Sequence, residues 1–277
     1  DRQKPDETWD RGLGNSGMKF LFASDSFKGT LTSRRTAELL TEAAREIFPS
    51  CECVGVEMAD GGEGTTEAVI AAAGGSRIEA RVHGPLWDIR TSCYGKLDDR
   101  RAVMEMAAAS GLTLVPPEMR DPRKTTTFGT GEMIRDALDR GFRDISVAIG
   151  GSATNDGGTG CMKALGIRFL DADGKEVDGC GEDLIRIRDI DGSGLDPRVS
   201  ECRFTVMCDV SNPLCGADGA TYTFGRQKGG TPEILDGLEA GMQNYRDIIK
   251  KKYGIDMDSI PGAGAAGGLG ASLMVFL

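Results

Sequence analysis

Two successive strand–loop–helix units, beginning at Met18, restrict the fold of this chain more than any other feature of its sequence. The apolar run MKFLFAS is followed by the loop DSFKGTL and by an amphipathic helix over residues 33–48, with Thr32 as its N-cap. The segments CECVGVEMA, DGGEG and TTEAVIAAA repeat the pattern up to Gly74. Such units form parallel strands joined by right-handed crossovers. They predict an α/β fold with a Rossmann-like parallel sheet.

A change of pattern near Ser76 predicts a second domain. Short extended runs (SRIEARV, IRTSCYG and RAVMEMA) replace the strand–helix alternation there. A helix over residues 125–140 and the buried strand DISVAIG then restore it, and a further strand, FTVMC, ends at Asp209. A long helix over residues 231–253, with Pro232 at its first position, follows.

Composition and residue usage exclude several classes of protein. The chain has 43 acidic and 33 basic residues, a formal net charge of −10, so nucleic acids and anionic membrane surfaces repel it. Its one histidine, His83, excludes a multi-histidine metal site. None of the eight cysteines forms a C-x-x-C pair, and no apolar run reaches the roughly 18 residues of a membrane span. We expect a cytoplasmic protein with no nucleic-acid or membrane partner.

The two ends of the chain depart from the α/β pattern. Residues 1–17 are polar and aperiodic, so we expect a disordered leader or tag. The last residues, SLMVFL, form an apolar run without a capping residue or a polar tail, so we expect a further segment in the natural protein. Two G-x-G-x-x-G matches, at residues 12–17 and 262–267, follow no convincing strand, which disfavours a nicotinamide-dependent oxidoreductase.

Glycine supplies 40 of the 277 residues and is concentrated in loops, of which AIGGSATNDGG at residues 148–158 is the best formed. This loop lies between a buried strand and a helix, whose first N–H groups can bind an anion. No Walker A motif occurs in the chain, so it is not an ordinary P-loop kinase. A glycine-rich turn that only caps the helix is the alternative. We predict a phosphate or substrate cradle made by Gly150, Gly151, Ser152, Thr154 and Asn155.

Charged residues follow the predicted strands, at the end of the sheet where open α/β proteins bind their ligands. Asp25 and Asp60 suit Mg²⁺ or a hydroxyl proton, and Lys28 suits a carboxylate or a phosphate. Asp209 is a further candidate base or metal ligand. Turn formation and helix capping are the alternative roles of each aspartate. Lys228, in FGRQKGG, is a candidate phosphate contact, with a solvated loop as the alternative.

In its motifs and in their order the chain closely resembles the bacterial glycerate kinase family, the type without a Walker A loop. Eight segments carry the resemblance: DSFKGTL (25–31), ADGGEGT (59–65), MEMAAASGL (104–112), TTTFGTGEMI (125–134), IGGSATNDGG (149–158), CDVSNPLCG (208–216), FGRQKGG (224–230) and GAGAAGGLGA (262–271).

This resemblance implies a two-domain α/β protein with a deep cleft between the domains. The first domain would be discontinuous, made of residues 18–75 and 260–277, around an inserted domain of residues 76–259. ATP and Mg²⁺ would be used to phosphorylate D-glycerate, preferably to 2-phospho-D-glycerate, and we allow for a homodimer. Family members continue beyond GAGAAGGLGA, so a truncated, non-catalytic module that binds glycerate or a nucleotide is the alternative function.

The resemblance also suggests a role for each candidate residue. Lys28 would hold the glycerate carboxylate or the transferred phosphoryl group, and Asp60, or else Asp25 or Asp209, would accept the hydroxyl proton. We therefore expect catalysis by Asp60, Lys28 and Asp25, and metal binding by Asp209. Substrate or phosphate contacts are expected from Ser26, Gly61, Gly62, Gly150, Gly151, Ser152, Thr154, Asn155 and Lys228.

Overall fold

The structure is a computed structural model, and it describes residues 17–25, 27, 30–58, 62 and 64–277. Most of the predicted leader lies outside the described residues, as do the candidate site residues Ser26, Lys28, Asp60 and Gly61. The chain divides into two compact units, residues 1–59 and 60–277.

The first unit contains two parallel strands and the helix between them. Strand β1 (Lys19–Phe22) pairs with β2 (Glu52–Gly55), and α1 (Ser33–Ile47) connects the two. The Thr32 hydroxyl accepts a hydrogen bond from the N–H of Arg35, which is the predicted N-cap contact. The first predicted strand–loop–helix unit is therefore confirmed.

The second unit is built on a five-stranded sheet. The strands of this unit, including two outside that sheet, are β3 (Ser76–His83), β4 (Ile89–Lys96), β5 (Arg101–Glu105), β6 (Asp144–Ala148), β7 (Arg168–Leu170), β8 (Asp189–Asp191) and β9 (Arg203–Met207). The large sheet has the order β3-β4-β5-β6-β9, and β7 pairs with β8 separately. Because β5, β6 and β9 are parallel, their last residues share one end of the sheet. We call this end, at Glu105, Ala148 and Met207, the carboxyl end of the sheet.

The second unit also contains helices. They are α2 (Thr65–Ala73), α3 (Ala107–Ser110), α4 (Phe128–Asp139), α5 (Thr159–Ala164), α6 (Ala220–Phe224), α7 (Pro232–Tyr253) and α8 (Leu269–Phe276). Of these, α2, α3 and α4 pack on the strands of the large sheet. As predicted, α7 begins after the N-cap Thr231 with Pro232 in its first turn. Among the helices that the structure describes, none has both the length and the apolar character needed to cross a membrane.

Strands and helices of the second unit share one hydrophobic core. In β6, which has a neighbouring strand on each side, Ile145, Val147 and Ala148 are fully buried. This position explains the apolar residues of DISVAIG, since a central parallel strand is covered on both faces. Tyr94 on β4 and Met133 on α4 are buried in the same core. The α/β fold expected from the sequence is confirmed, although the large sheet is only partly parallel, since β3, β4 and β5 pair antiparallel.

Two segments that the sequence predicts for the first domain lie in the second unit. Helix α2 lies in the second unit, where Ile70 contacts Gly95 of β4. The C-terminal segment also lies in this unit, where Gly267 contacts the loop after β6. The discontinuous first domain of residues 18–75 and 260–277 stays a prediction.

Candidate active site

The glycine loop, residues 149–158, extends from β6 at the carboxyl end of the sheet. The N–H of Ile149 donates to the carbonyl of Met207 on β9 (3.2 Å). On the other side, the N–H of Leu112 donates to the carbonyl of Gly151 (2.8 Å). Contacts to the last residue of β9 and to the segment that follows β5 therefore fix the start of the glycine loop, where an open α/β sheet binds its ligands.

The exposed part of the glycine loop is its main chain at Gly150 and Gly151. Gly151 is exposed and Gly150 is half-buried. Within the part of the chain that the structure describes, their N–H groups donate to no acceptor. The side chains of Ser152, Thr154 and Asn155, in contrast, are buried. The main chain of these two glycines is therefore the part of the loop that an anion from solvent can reach.

A buried carboxylate, Asp156, organises the second half of the glycine loop. It accepts hydrogen bonds from the N–H and the hydroxyl of Thr127 (2.8 and 2.7 Å) and from the N–H groups of Gly158 (3.1 Å) and Gly160 (3.3 Å). Burial raises the pKa of Asp156 above its ordinary value, although these hydrogen bonds oppose the shift. We expected the first N–H groups of α5 to be open to an anion. That expectation is wrong for Gly158 and Gly160, because the Asp156 carboxylate accepts hydrogen bonds from both N–H groups.

Lys228 lies beneath the glycine loop and is only 2% exposed. Its ammonium group donates to the hydroxyl of Ser152 (2.8 Å) and to the carbonyl of Thr154 (2.7 Å). Burial lowers the pKa of Lys228 to about 7, and the nearby charge of Asp156 acts in the opposite direction. The structure thus places Lys228 at the predicted loop, in contact with the loop's own atoms.

Two buried side-chain atoms of the glycine loop have no hydrogen-bond partner among the described residues. They are the hydroxyl oxygen of Thr154 and the amide oxygen of Asn155. The Asn155 amide nitrogen donates to the hydroxyl of Thr221 (3.2 Å), which fixes the orientation of that side chain. Because buried polar atoms are normally hydrogen-bonded, each of these two atoms has the capacity for a further hydrogen bond.

Glu105, the last residue of β5, is a second buried carboxylate at the carboxyl end of the sheet. It accepts hydrogen bonds from the N–H groups of Thr66 (2.6 Å) and Gly64 (3.3 Å). Gly64 is the N-cap of α2 and has no side chain with which to cap it. Glu105 therefore supplies the acceptor that an N-cap side chain usually provides. The sequence interpretation missed both Glu105 and Asp156.

The loop after β9 carries Asp209, which is exposed. Two carboxylates hold the far end of this loop: Asp258 accepts the N–H of Cys215 (2.9 Å), and Glu239 accepts the N–H of Gly216 (2.7 Å). No group of three or more His, Cys, Asp or Glu side chains that could hold a metal occurs in the described part of the chain. A magnesium ion bound by one or two carboxylates and by substrate phosphates does not need such a group.

The glycine-rich segment GAGAAGGLGA packs directly on the glycine loop. The Gly157 N–H donates to the carbonyl of Gly267 (2.9 Å). Gly267 has a φ of 66°, and a Cβ atom on it would overlap the carbonyl oxygen of Thr154. Only glycine fits there without a shift of the loop. Glycine at this position therefore permits the close contact between the two segments.

The predicted site residues differ in where the structure places them. Asp25 lies after β1 in the first unit. Gly62 is buried in the second unit, and its carbonyl accepts the Thr65 hydroxyl (2.8 Å). The structure brings together one group of predicted residues, namely Gly150, Gly151, Ser152, Thr154, Asn155 and Lys228. The roles of all of them, and of the residues outside the described part of the chain, stay predictions.

Comparison with known proteins decides the family. The sequence profile described as the Glycerate kinase family matches residues 20–277. The chain belongs to the glycerate kinase family. It is 49% identical over 261 residues to the glycerate 2-kinase of Escherichia coli strain K12, covering 94% of this chain and 68% of that protein. The glycerate kinase of Bacillus subtilis strain 168 is 46% identical over 261 residues, with the same coverage.

A solved structure is similar to this glycerate kinase family member in fold as well. It is a crystal structure of a protein from Salmonella typhimurium LT2 assigned as glycerate kinase 2. The two share 46% sequence identity with a TM-score of 0.81, and the match covers 94% of this chain and 70% of the other. The resemblance seen in the motifs is thereby confirmed, and the protein is a kinase.

Proposed function

We propose that this protein transfers the γ-phosphoryl group of ATP to the 2-hydroxyl of D-glycerate, giving 2-phospho-D-glycerate and ADP. The observation that carries the proposal is the exposed main chain of Gly150 and Gly151, which offers N–H donors at the carboxyl end of the sheet of a glycerate kinase family member. Main-chain N–H groups there suit phosphate oxygens. The names of the relatives, glycerate 2-kinase and glycerate kinase, support the choice of substrate.

The transfer forms one bond and breaks another. The 2-hydroxyl oxygen of glycerate bonds to the γ-phosphorus, while the bond from that phosphorus to the bridging oxygen of ADP breaks. ADP leaves with the electron pair, and the hydroxyl proton passes to a carboxylate, which we assign to Asp60 with Asp25 or Asp209 as alternatives. Lys28 would hold the glycerate carboxylate or the moving phosphoryl group.

The chain's contribution to the reaction is mainly positioning and charge compensation, as in other phosphoryl transfers. The N–H groups of Gly150 and Gly151 would bind phosphate oxygens, and the two unpartnered atoms of Thr154 and Asn155 would bind polar groups of a substrate. Lys228 adds positive charge beneath the loop while it is protonated. Because Asp156 and Lys228 already hold the loop in place, little reorganisation is needed when the ligand binds.

A magnesium ion would be held by Asp209 or Asp25 together with phosphate oxygens of the nucleotide. When bound, it supplies positive charge that compensates the charge on the phosphates. The exposed carboxylate of Asp209 at the carboxyl end of the sheet is a hard oxygen ligand of the kind that Mg²⁺ prefers, so the residues present fit this ion.

Phosphorus NMR of the full-length protein with ATP and D-glycerate tests the proposal directly. We expect ADP and a phosphomonoester whose phosphorus couples to the single proton on carbon 2. A phosphorus coupled to the two protons of carbon 3 would instead show transfer to the 3-hydroxyl. Asp60→Asn and Lys28→Ala are each expected to lower kcat by about 10²-fold or more.

Lys19→Ala is a matched control for Lys28→Ala, because Lys19 is an exposed lysine of the same unit that pairs with Glu52 (2.9 Å). We expect normal turnover from this control. Near-normal turnover in both Asp60→Asn and Lys28→Ala would contradict the assigned roles. Calorimetric titration with ATP and with D-glycerate, run alongside, separates the enzyme from the alternative, since binding without ADP formation identifies a non-catalytic module.

We propose the cytoplasm as the location of the protein. All eight cysteines are free in the structure, as expected in a reducing compartment. A homodimer stays a prediction, which light scattering of the full-length protein tests.

A further inference from the structure

We infer that Glu105 is a positioning residue for phosphoryl transfer, which fixes the start of α2 relative to the glycine loop. The inference rests on the proposed function, because that function places the proton acceptor Asp60 in the sequence just before α2. Glu105 itself is not assigned any contact with the substrates.

The contacts of Glu105 join parts of the chain that are far apart in sequence. Its carboxylate accepts the N–H of Thr66, 39 residues away, at 2.6 Å, and the N–H of Gly64, 41 residues away, at 3.3 Å. Glu105 is only 8% exposed. Hydrogen bonds to a buried carboxylate are stronger than those between neutral groups. The start of α2 is therefore tied to the last residue of a strand in the central sheet.

The first turn of α2 depends on this outside acceptor. The N-cap, Gly64, has a φ of 94° and makes no side-chain capping bond. The first N–H groups of a helix have no partner within the helix, and they carry its positive dipole end. The carboxylate of Glu105 accepts hydrogen bonds from these N–H groups, and its negative charge compensates the dipole. A neutral or shorter side chain would do this less well.

The residues that follow Glu105 contact the glycine loop. Met106 donates its N–H to the carbonyl of Ala148, where the loop begins (2.8 Å), and the Cβ of Ala107 lies beside Gly151. Glu105 is also paired with Ala148 in the register of the parallel strands β5 and β6. Neighbouring strands lie about 4.8 Å apart. One short stretch, 105–107, thus sets the spacing between the start of α2 and the glycine loop.

This arrangement predicts a specific effect of Glu105→Gln. The amide keeps one acceptor oxygen, but its NH₂ group is a donor and cannot accept the second N–H. The start of α2 should then shift or loosen without loss of the fold. Because small displacements of reacting groups can cost about 10²-fold in rate, we expect kcat to fall by roughly 10- to 100-fold with KM for ATP little changed.

The matched control is Glu67→Gln, the same chemical change in the first turn of the same helix. Glu67 is 44% exposed and pairs with Arg77 on β3 (2.7 Å), away from Glu105. We expect normal kcat from this control. Glu105→Asp keeps the charge on a side chain one methylene shorter. It should give an intermediate kcat, and it serves as the test if Glu105→Gln does not fold.

Amide hydrogen exchange of the full-length enzyme supplies a readout that is independent of activity. In Glu105→Gln we expect faster exchange at Gly64 and Thr66, and unchanged exchange in β6. Normal kcat in the folded variant, or a lower kcat without faster exchange at these two amides, would overturn the inference. If Asp60→Asn turns over normally, the proposed proton acceptor is wrong. The amide exchange and the kcat of Glu105→Gln then still decide whether Glu105 positions the start of α2 for a reaction with a different proton acceptor.

Discussion

Charged groups at the carboxyl end of the sheet and those on the outer surface of the same unit differ in how they are stabilised. Asp156 and Lys228 are buried, and each is hydrogen-bonded to main-chain and hydroxyl groups of nearby loops. On the surface, Lys124 and Glu182 form an ion pair of 2.5 Å between side chains that are 56% and 45% exposed. The buried charges therefore shape loops, whereas the surface pair only joins two exposed side chains.

The largest effect is expected from Asp156→Ala. This change leaves the N–H groups of Thr127, Gly158 and Gly160 buried without their acceptor. We expect a loss of about 3–5 kcal/mol in the free energy of unfolding, measured by urea denaturation. Asp156→Asn retains one acceptor oxygen and should lose less. A loss below about 1 kcal/mol in the alanine variant would show that Asp156 does not hold the loop.

A pair of glycine substitutions extends the comparison to the main chain. Gly267→Ala should cost roughly 2–4 kcal/mol, because its Cβ overlaps the Thr154 carbonyl and its φ is in the left-handed region. Gly237 is the matched control, since it is exposed on α7 and has open space around it. Gly237→Ala should instead stabilise the protein by about 0.5–1 kcal/mol through helix propensity. Equal effects in thermal unfolding would contradict the close contact at Gly267.

The burial of Lys228 predicts that the free energy of unfolding depends on pH in a way that a surface lysine does not cause. Its pKa is lowered from 10.5 to about 7, so between these pH values the unfolded lysine keeps a proton that the folded one has lost. Stability relative to Lys228→Met should therefore rise with pH across that window and stay constant below it. Unfolding of both proteins at several pH values measures this difference. For Lys124→Met, the difference in unfolding free energy from the unchanged protein should show no such rise with pH. A difference that does not change with pH for Lys228→Met would mean that the Lys228 ammonium is not desolvated.

The smallest effect is expected for the surface pair. A double-mutant cycle with Lys124→Ala and Glu182→Ala should give no coupling that thermal unfolding can resolve, because solvent screens exposed charges. A clear coupling would remove the distinction between the two regions.

Local signals in the sequence were sufficient for the helices with strong caps. The N-cap Thr231 and Pro232 located the start of α7, and Thr32 located the start of α1. The same reasoning placed the start of α4 too early, at residue 125 instead of Phe128. Thr125 donates its hydroxyl to the carbonyl of Ala153 (2.9 Å). Side chains that bond to distant main-chain groups compete with helix formation, and spacing along the chain does not reveal this.

The candidate site was predicted less completely than the fold. Its glycine loop could be recognised because glycines and hydroxyl residues follow an apolar strand. The roles of Asp156 and Glu105 could not be recognised from the sequence. Their hydrogen-bond partners outside their own loops lie between 29 and 41 residues away along the chain. Arg226 and Lys228 look equivalent in FGRQKGG, yet the first is exposed and the second is buried. Only tertiary packing distinguishes them.

The position of Cys208 provides a practical handle on this protein. Cys208 is an exposed residue between the end of β9 and Asp209, although its thiol donates to the carbonyl of Val210 (3.2 Å) and partial burial raises the pKa of that thiol. Cys161, Cys180 and Cys215 are buried, and burial raises the pKa of each of these thiols. Thiolates are the reactive form, so the three buried groups should resist alkylation. A maleimide fluorophore attached at Cys208 would report the arrival of nucleotides beside Asp209 without an engineered cysteine.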